Sequence, residues 1–570
     1  MKVNISEMGP RVRGNTVKFK TWLPGLEPDD RVLVIGSFCQ WKPENSMALT
    51  YDEEKEIWAG EIEELENGFY EYAYHIKTSS WDSNLANDPY AKMVGPNNKS
   101  AFKIPAEKPA RLDLFTRPSL DKLVLYNLEL NNFNSNFDGV TRRVFYYLRE
   151  LGINGVIFSP WVGYSSQHYG QRYPVHYFAP DYRYGTPYDL KVMINQCHNA
   201  DIAVIMDLDL HAVSTEFGFN QMYSIFENRP MLGRSDDSGE KISLNFNDGF
   251  ARNFVFDLCY WWLTEYNIDG IRFINTRQYW DNADGKGLAP LVEKLTRKMA
   301  KDAEEVYLLA DDCGPADIEI LNHSYVNGVN NRRLFRHIFR MAENRAMSSE
   351  FWRNLDPHQL NFQKENSRNE DVVNNTVLNY IEESQADSLI VKMGIVSGSR
   401  DRYGNPIGDR KNHWWKTKPF IITQFLASGI PVVFNGQEIG NNRFVPREGP
   451  ERFMDHPIGW QFMADFAGKD LFRFHQKLIS LRFTFESLST WNFFHYFTDA
   501  ERQVLVFKRY LDEESLVVGV NFSNESHDVL MPFPSDGIWQ EYLDDYDVLV
   551  ENREAIVKIP ARYGVILFKK

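Results

Sequence analysis

Residues Tyr266–Trp280 read Y-N-I-D-G-I-R-F-I-N-T-R-Q-Y-W, and the fold is decided there. A run of helical period ends at this stretch, Gly270 breaks it, and Ile271, Phe273 and the residues after them read as a short buried strand. A helix that hands over to a buried strand in this way is one half of a parallel βα unit.

The same rhythm recurs on both sides. Upstream, L-V-L-Y-N-L-E-L from Leu123 is a strand, V-T-R-R-V-F-Y-Y-L-R-E-L-G a helix closed by Gly152, and I-N-G-V-I-F-S-P a second strand. Thr186-Pro187-Tyr188-Asp189 is a helix start, with a hydroxyl at the cap, Pro in the first turn and an acid at N3. That helix leads into a third strand, I-A-V-I-M-D-L-D-L, and another long helix begins at Asp248. Downstream, V-Y-L-L-A-D-D, V-L-N-Y-I-E-E-S and I-P-V-V-F-N-G-Q-E-I-G are further strands, and the pattern from Leu334 to Arg368 is helical. Leu471, Phe474, Leu478 and Leu481 line one face of a closing helix. Before residue 105 the pattern is all-β (V-K-F-K-T-W, R-V-L-V-I-G-S-F, F-Y-E-Y-A-Y-H-I), and it becomes so again from about Trp491. The expected organisation is an N-terminal β-sandwich over 1–105, a Pro-rich linker over 106–120, an α/β barrel over 121–485 with a small insertion at about 213–242, and a C-terminal β-sandwich over 486–570.

Composition narrows the function. With 570 residues, 43% hydrophobic and 14% aromatic, the chain is globular and has several domains. A formal net charge of −15, with no run of Lys or Arg, argues against nucleic acid or an anionic membrane as partner. No segment reaches the ~18 apolar residues of a membrane span, and the N-terminus has no apolar stretch of a signal peptide, so a cytoplasmic location is expected. The cysteines Cys39, Cys197, Cys259 and Cys313 lack the close spacing of a zinc site; buried thiols, with no metal and no cofactor, are expected.

Several stretches resemble a known family. G-S-F-C-Q-W (Gly36 to Trp41), I-W-A-G-E-I and D-P-Y-A (Asp88 to Ala91) resemble the family 48 carbohydrate-binding module. The loop and helix start Y-F-A-P-D-Y-R-Y-G-T-P-Y-D-L-K (Tyr177 to Lys191), L-N-F-N-D-G-F-A-R-N-F and Y-W-W-L-T-E-Y-N-I-D-G are similar to the α-amylase superfamily (glycoside hydrolase family 13), nearest to glycogen and starch branching enzymes. The resemblance implies a TIM (β/α)8 barrel with its chemistry at the C-terminal strand ends. It also implies an α-glucan as partner, and a retaining mechanism needing two carboxyl groups about 5 to 5.5 Å apart.

The departures from the family fall on those acids. Its fourth strand reads G-F-R-x-D, and the nucleophile position is Ile274 here, while Gly270, Arg272 and Phe273 match. Asn275 is not a substitute, because adjacent strand residues point to opposite faces. The acid Glu of A-E-D becomes Asp311, one methylene shorter, and a misplacement of about 1 Å can cost ~100-fold. E-S-H-D-Q-A-L becomes Glu383 to Leu389, so that Gln385 stands for the sugar-binding His and Ala386 for the third acid. On the third strand Asp207 matches, Asp209 is extra, and His211 meets the family His only with a one-residue gap. The sugar-stacking Tyr of W-G-Y falls in Gly170-Gln171-Arg172, or at Tyr169-Gly170 with a shift, which leaves Tyr173 to stack. Trp22, Trp41 and Trp58 are the candidate sugar platforms of the N-terminal module, although core packing suits each of them too.

The expected function is therefore α-glucan binding by a branching-enzyme-like protein without catalysis. Two alternatives stand beside it: an active enzyme using Asp311 with Asp209 or Glu382 as the base of an inverting pair, about 6.5 to 9.5 Å apart, and a scaffold with a protein partner and no sugar. Arg272, which in the family pairs with the nucleophile, is expected to turn to Asp207 or Asp209, because an unpaired buried charge costs about 3 to 5 kcal/mol.

Overall fold

The structure is a computed structural model and describes residues 7–79, 81–106, 115–133, 136–165, 173–224, 229–235, 241–280, 287–302, 304–311, 316–343, 346–368, 371–396, 413–446 and 454–569. Eight strands close into a barrel: β1 (Leu125–Leu128), β2 (Gly155–Phe158), β3 (Ala203–Asp209), β4 (Gly270–Ile274), β5 (Tyr307–Asp311), β6 (Gly328–Asn330), β7 (Thr376–Asn379) and β8 (Ile430–Phe434). Each strand neighbours the next in chain order, and the pairings β3 to β4, β4 to β5, β6 to β7, β7 to β8 and β8 to β1 are parallel. Nearly all strand residues are buried, as expected where helices cover a sheet whose other face fills the barrel.

By its internal contacts the chain forms two compact units, one of residues 1–115, 134–144 and 158–311, the other of 116–133, 145–157 and 312–570. The first unit holds a seven-stranded N-terminal sheet in the order Gly9–Arg13, Thr16–Thr21, Ile57–Ile62, Met47–Asp52, Arg31–Gly36, Gly68–Lys77, Ser100–Ile104. Its residues alternate as a half-buried strand requires: Val17 and Phe19 are inside, and Lys18 points out. In the same unit α1 (Pro187–His198) starts on a capping box, the Thr186 hydroxyl accepting from the Asp189 N–H while Asp189 accepts from the Thr186 N–H at 2.9 Å. Helix α2 (Gly249–Glu265) starts where Asp248 accepts from the Phe250 N–H. Gly270 opens β4 against β5 so closely that a Cβ there would lie 2.4 Å from the Tyr307 carbonyl oxygen. The insertion after β3 is a three-stranded sheet of Ala212–Ser214, Lys241–Leu244 and Leu232–Ser235.

In the second unit, the C-terminal region from Phe493 has a six-stranded sheet and the pair His527–Pro532 with Glu554–Ile559. Val504, Val517, Met531, Trp539, Val557 and Ile559 form their shared core.

Some expectations change. The sixth strand, β6, is only three residues long and carries no period to reveal it. The region expected to be helical to Arg368 is α-helix over Arg332–Ala342 and short 3₁₀ turns to Leu360, but Glu365–Arg368 is a strand paired antiparallel with Asp371–Asn374. Trp58 is 2% exposed and packs on Tyr51, so its ring serves the module's core and is closed to a sugar. Cys39, Cys197 and Cys259 are buried free thiols; Cys313 lies outside the described residues.

Candidate active site at the strand ends

The first unit carries the ends of β3, β4 and β5, and their register decides what can meet. Asp207 lies opposite Arg272, and Asp209, Ile274 and Asp311 are successive register partners across the three strands. Because partners in a parallel sheet face the same side, the row at the mouth reads carboxylate, aliphatic, carboxylate.

One layer deeper, Arg272 grips Asp207 with both arms, Nε donating to Oδ1 at 2.6 Å and Nη2 to Oδ2 at 2.7 Å. Both residues are 5% exposed. Burial pushes the Asp207 carboxyl above its ordinary range, the guanidinium opposes that shift, and the Asp311 charge adds to it. The fork geometry is the strong form of such a pair.

Asp209 is held differently. Its Oδ1 accepts the His211 backbone N–H at 2.9 Å and faces His211 Nδ1 at 2.5 Å, while Oδ2 accepts from the Asn275 amide at 2.7 Å. Asn275 is the residue for which strand alternation misleads: β4 stops at Ile274, Asn275 turns left-handed with φ 56°, and its side chain comes round to Asp209. Asn tolerates that backbone because its short polar side chain bonds locally. Two tyrosines fix the backbone beneath the row, the Tyr177 hydroxyl donating to the Asp209 carbonyl at 3.0 Å and the Tyr279 hydroxyl to the Ile274 carbonyl at 3.0 Å.

Tyr173 does not offer the open platform expected of it. It is 6% exposed, meets His211 edge to face with ring centres 6.0 Å apart, and carries the Lys241 ammonium 5.5 Å above its ring. Tyr169, Gly170, Gln171 and Arg172 lie outside the described residues. In the N-terminal sheet region Trp22 is partly exposed with its ring on Phe250, centres 4.2 Å apart, and Trp41 is partly exposed.

The second unit holds the segment after β7. Gln385 is exposed and Ala386 partly so. Arg443 organises the segment by donating to the carbonyls of Glu383 at 2.7 Å and Ala386 at 3.2 Å. Glu382 is buried, accepts the Leu389 N–H at 2.9 Å and lies 3.8 Å from Arg443. Burial raises its carboxyl to about 7 against the pull of that arginine. Glu383 is ion-paired with Arg332.

Sequence reasoning missed Glu438. It is fully buried, accepts from the Tyr126 hydroxyl at 2.9 Å and from the Tyr147 hydroxyl on Oε1, and burial raises it to about 7. The signal was present in N-G-Q-E-I-G, a charged residue in the turn that follows an apolar strand. Among the described residues no group of three or more His, Cys, Asp and Glu is placed to hold a metal ion.

Two family models match: residues 122–229 fit the α-amylase catalytic domain and residues 7–91 fit carbohydrate-binding module 48, the isoamylase N-terminal domain. Over these stretches the chain resembles the α-amylase superfamily. Its relatives include the 1,4-alpha-glucan branching enzyme GlgB of Picrophilus torridus, 26% identical over 266 residues, which are 45% of this chain and 37% of that one. The chloroplastic isoamylase 2 of Arabidopsis thaliana is 23% identical over 479 residues, covering 75% of this chain and 52% of that protein. The aligned part thus spans between about a third and about half of these relatives' length. Among solved structures, a pullulanase from Anoxybacillus complexed with maltotetraose superposes with a TM-score of 0.76 at 17% identity, over 99% of this chain and 88% of that one. A putative alpha amylase from Salmonella typhimurium gives 0.72 at 17% identity, over 99% and 100%. At that identity the superpositions establish the fold.

Proposed function

We propose that this protein binds α-glucan without cleaving or transferring it. The observation that carries this reading is the row Asp209, Ile274, Asp311: a covalent mechanism needs a nucleophilic carboxylate beside the acid, and the position between them is an aliphatic side chain. The neighbouring carboxylates are committed elsewhere, Asp207 to Arg272 and Asp209 to His211 and Asn275. An inverting role for Asp209 would ask a carboxylate already holding three donors to activate a water. Glu382, the other base considered, is buried against the Leu389 N–H.

Glucan affinity is assigned to the N-terminal module, with Trp41 and Trp22 as its partly exposed rings, since stacking needs no carboxylate. No helix among the described residues is long and apolar enough to cross a membrane, and a cytoplasmic site of action is part of this proposal. The test is electrophoresis in gels with and without amylopectin or glycogen, beside iodine and reducing-end assays on amylose. Retardation without turnover is the expected result; turnover would return the chain to the enzymes, and neither would leave a scaffold.

A further inference from the structure

The N-terminal sheet carries a feature that its sequence conceals. Strand Gly9–Arg13 reads G-P-R-V-R and strand Thr16–Thr21 reads T-V-K-F-K-T, so cations alternate with apolar residues and no basic run appears. Folding gathers them. Val17 and Phe19 turn into the core, and Arg11, Arg13, Lys18 and Lys20 come to one outward face, where Arg11 is directly opposite Lys18. The sequence has no run of Lys or Arg, and this face exists only once the two strands pair.

These side chains, with Lys55, line an open groove of about 460 Å³. Its carboxylates are Asp52, which pairs with Lys55 at 2.8 Å, and Glu61, which reaches Lys18 only at 3.7 Å with both groups about half exposed. Lys20 lies 3.9 Å from Glu7. Among the described residues neither Arg11 nor Arg13 has an ion pair. Five cations therefore face two carboxylates in the groove of a chain whose net charge is −15. Like charges directly opposite one another destabilise a sheet, so folding alone does not account for the arrangement.

We propose that this sheet face binds the phosphate monoesters of a phosphorylated α-glucan chain. The inference rests on the glucan-binding reading above and adds a second, charged determinant to it. Arginine forks match phosphate oxygens in pairs. The groove floor is Ile57 and Ala59, with no ring on which a neutral sugar could stack. An open sheet face lies along a chain, whereas small ligands are held in enclosing pockets. The cations on two adjacent strands, about 4.8 Å apart, with about 6.7 Å between alternate residues, span one or two phosphates. A nucleic acid, a long polyanion, would be repelled by the remainder of this chain, whose net charge is −15.

The experiment uses the full chain in gels containing a phosphorylated amylopectin or the same polymer after phosphatase treatment. The wild type should be retarded several-fold more by the phosphorylated polymer. The excess should vanish in Arg11→Gln/Arg13→Gln, in Lys18→Gln/Lys20→Gln, and at about 0.3 M salt, where charges are screened within a few ångströms. In both variants the retardation by the phosphatase-treated polymer should stay as in the wild type. Equal retardation by the two polymers overturns this inference and leaves the glucan-binding reading standing. Retardation by neither overturns both. Tighter binding to single-stranded DNA or heparin than to the phosphorylated glucan also overturns it, in favour of a general polyanion surface.

Discussion

Two buried arginines solve the same problem in opposite ways. Arg272, in the first unit, is neutralised by a carboxylate, Asp207. Arg509, in the second, is fully buried and donates to six main-chain carbonyls, those of Leu426, Ala427, Ser487, Leu488, Thr490 and Asn492. Burial lowers its guanidinium to about 9. The carbonyl cradle is a rigid tie between backbone segments and has no protonation state of its own. The carboxylate pair titrates, and it lies one layer below the strand-end row of Asp209, Ile274 and Asp311. A buried arginine in this fold is therefore no sign of catalysis by itself, and what it is paired with decides how its loss is felt.

The largest effect should follow Arg509→Met. Each buried polar group left unpaired costs about 1 to 3 kcal/mol; the Ser487 carbonyl keeps the Thr490 hydroxyl at 2.8 Å, and the other five rival the ~5 to 15 kcal/mol that holds a domain together. Loss of soluble, folded protein at any pH is expected by circular dichroism, and no second substitution at a carboxylate should restore it. A well-folded Arg509→Met would break the comparison.

Arg272→Met should cost less, about 3 to 5 kcal/mol at pH 8 by urea unfolding, and it should be conditional. Burial already holds Asp207 above the carboxylate range, and without the guanidinium nothing opposes that. The folded state then takes up a proton at a pH where the unfolded chain does not. The destabilisation is complete above the raised folded pKa and fades as pH falls toward the unfolded value of about 4. Arg272→Met/Asp207→Leu should recover most of the loss at pH 8. A pH-independent cost would show that Arg272 behaves like Arg509.

Asp209→Ala should lose about 1 to 2 kcal/mol, from the His211 and Asn275 bonds together, with glucan retardation unchanged. A loss of turnover in this variant, in place of stability, would mean that Asp209 is a working base. The smallest expected effect belongs to Ile274→Asp. Removing a nucleophile costs covalent enzymes around 10⁶ in rate, yet restoring it should yield no turnover of amylose here, because Asp311 is one methylene shorter than the family's acid and Ala386 supplies no third carboxyl. Turnover in that single variant would show that Asp311 is long enough.

What could be read from sequence follows how local each cause is. The capping box at Thr186 and the cap at Asp248 are settled within four residues, and both helices start as the sequence indicates. Strands β3, β4 and β5 announce themselves as apolar runs, whereas β6, with three residues, has no pattern to detect. The Arg272 partner was open between two acids of one strand face, and only the register, Asp207 opposite Arg272, decides between them. Asn275 escaped because alternation holds only while a strand lasts. Trp58 was ambiguous because an aromatic ring on a strand reads alike whether it faces core or solvent. The cationic face of the N-terminal sheet arises from pairing two strands, so neither strand shows it alone.

Gly270 has a consequence for descent. A side chain there would collide with the Tyr307 carbonyl, so a substitution is rejected when the barrel closes, before any activity is put to use. Ile274, four residues on, is partly exposed at the strand end, and no backbone is pressed against a missing Cβ there. On the reading proposed above, the chain would have shed the acid and kept the glycine. The surviving half of the motif then records how the strand is built, and is silent about what the protein does.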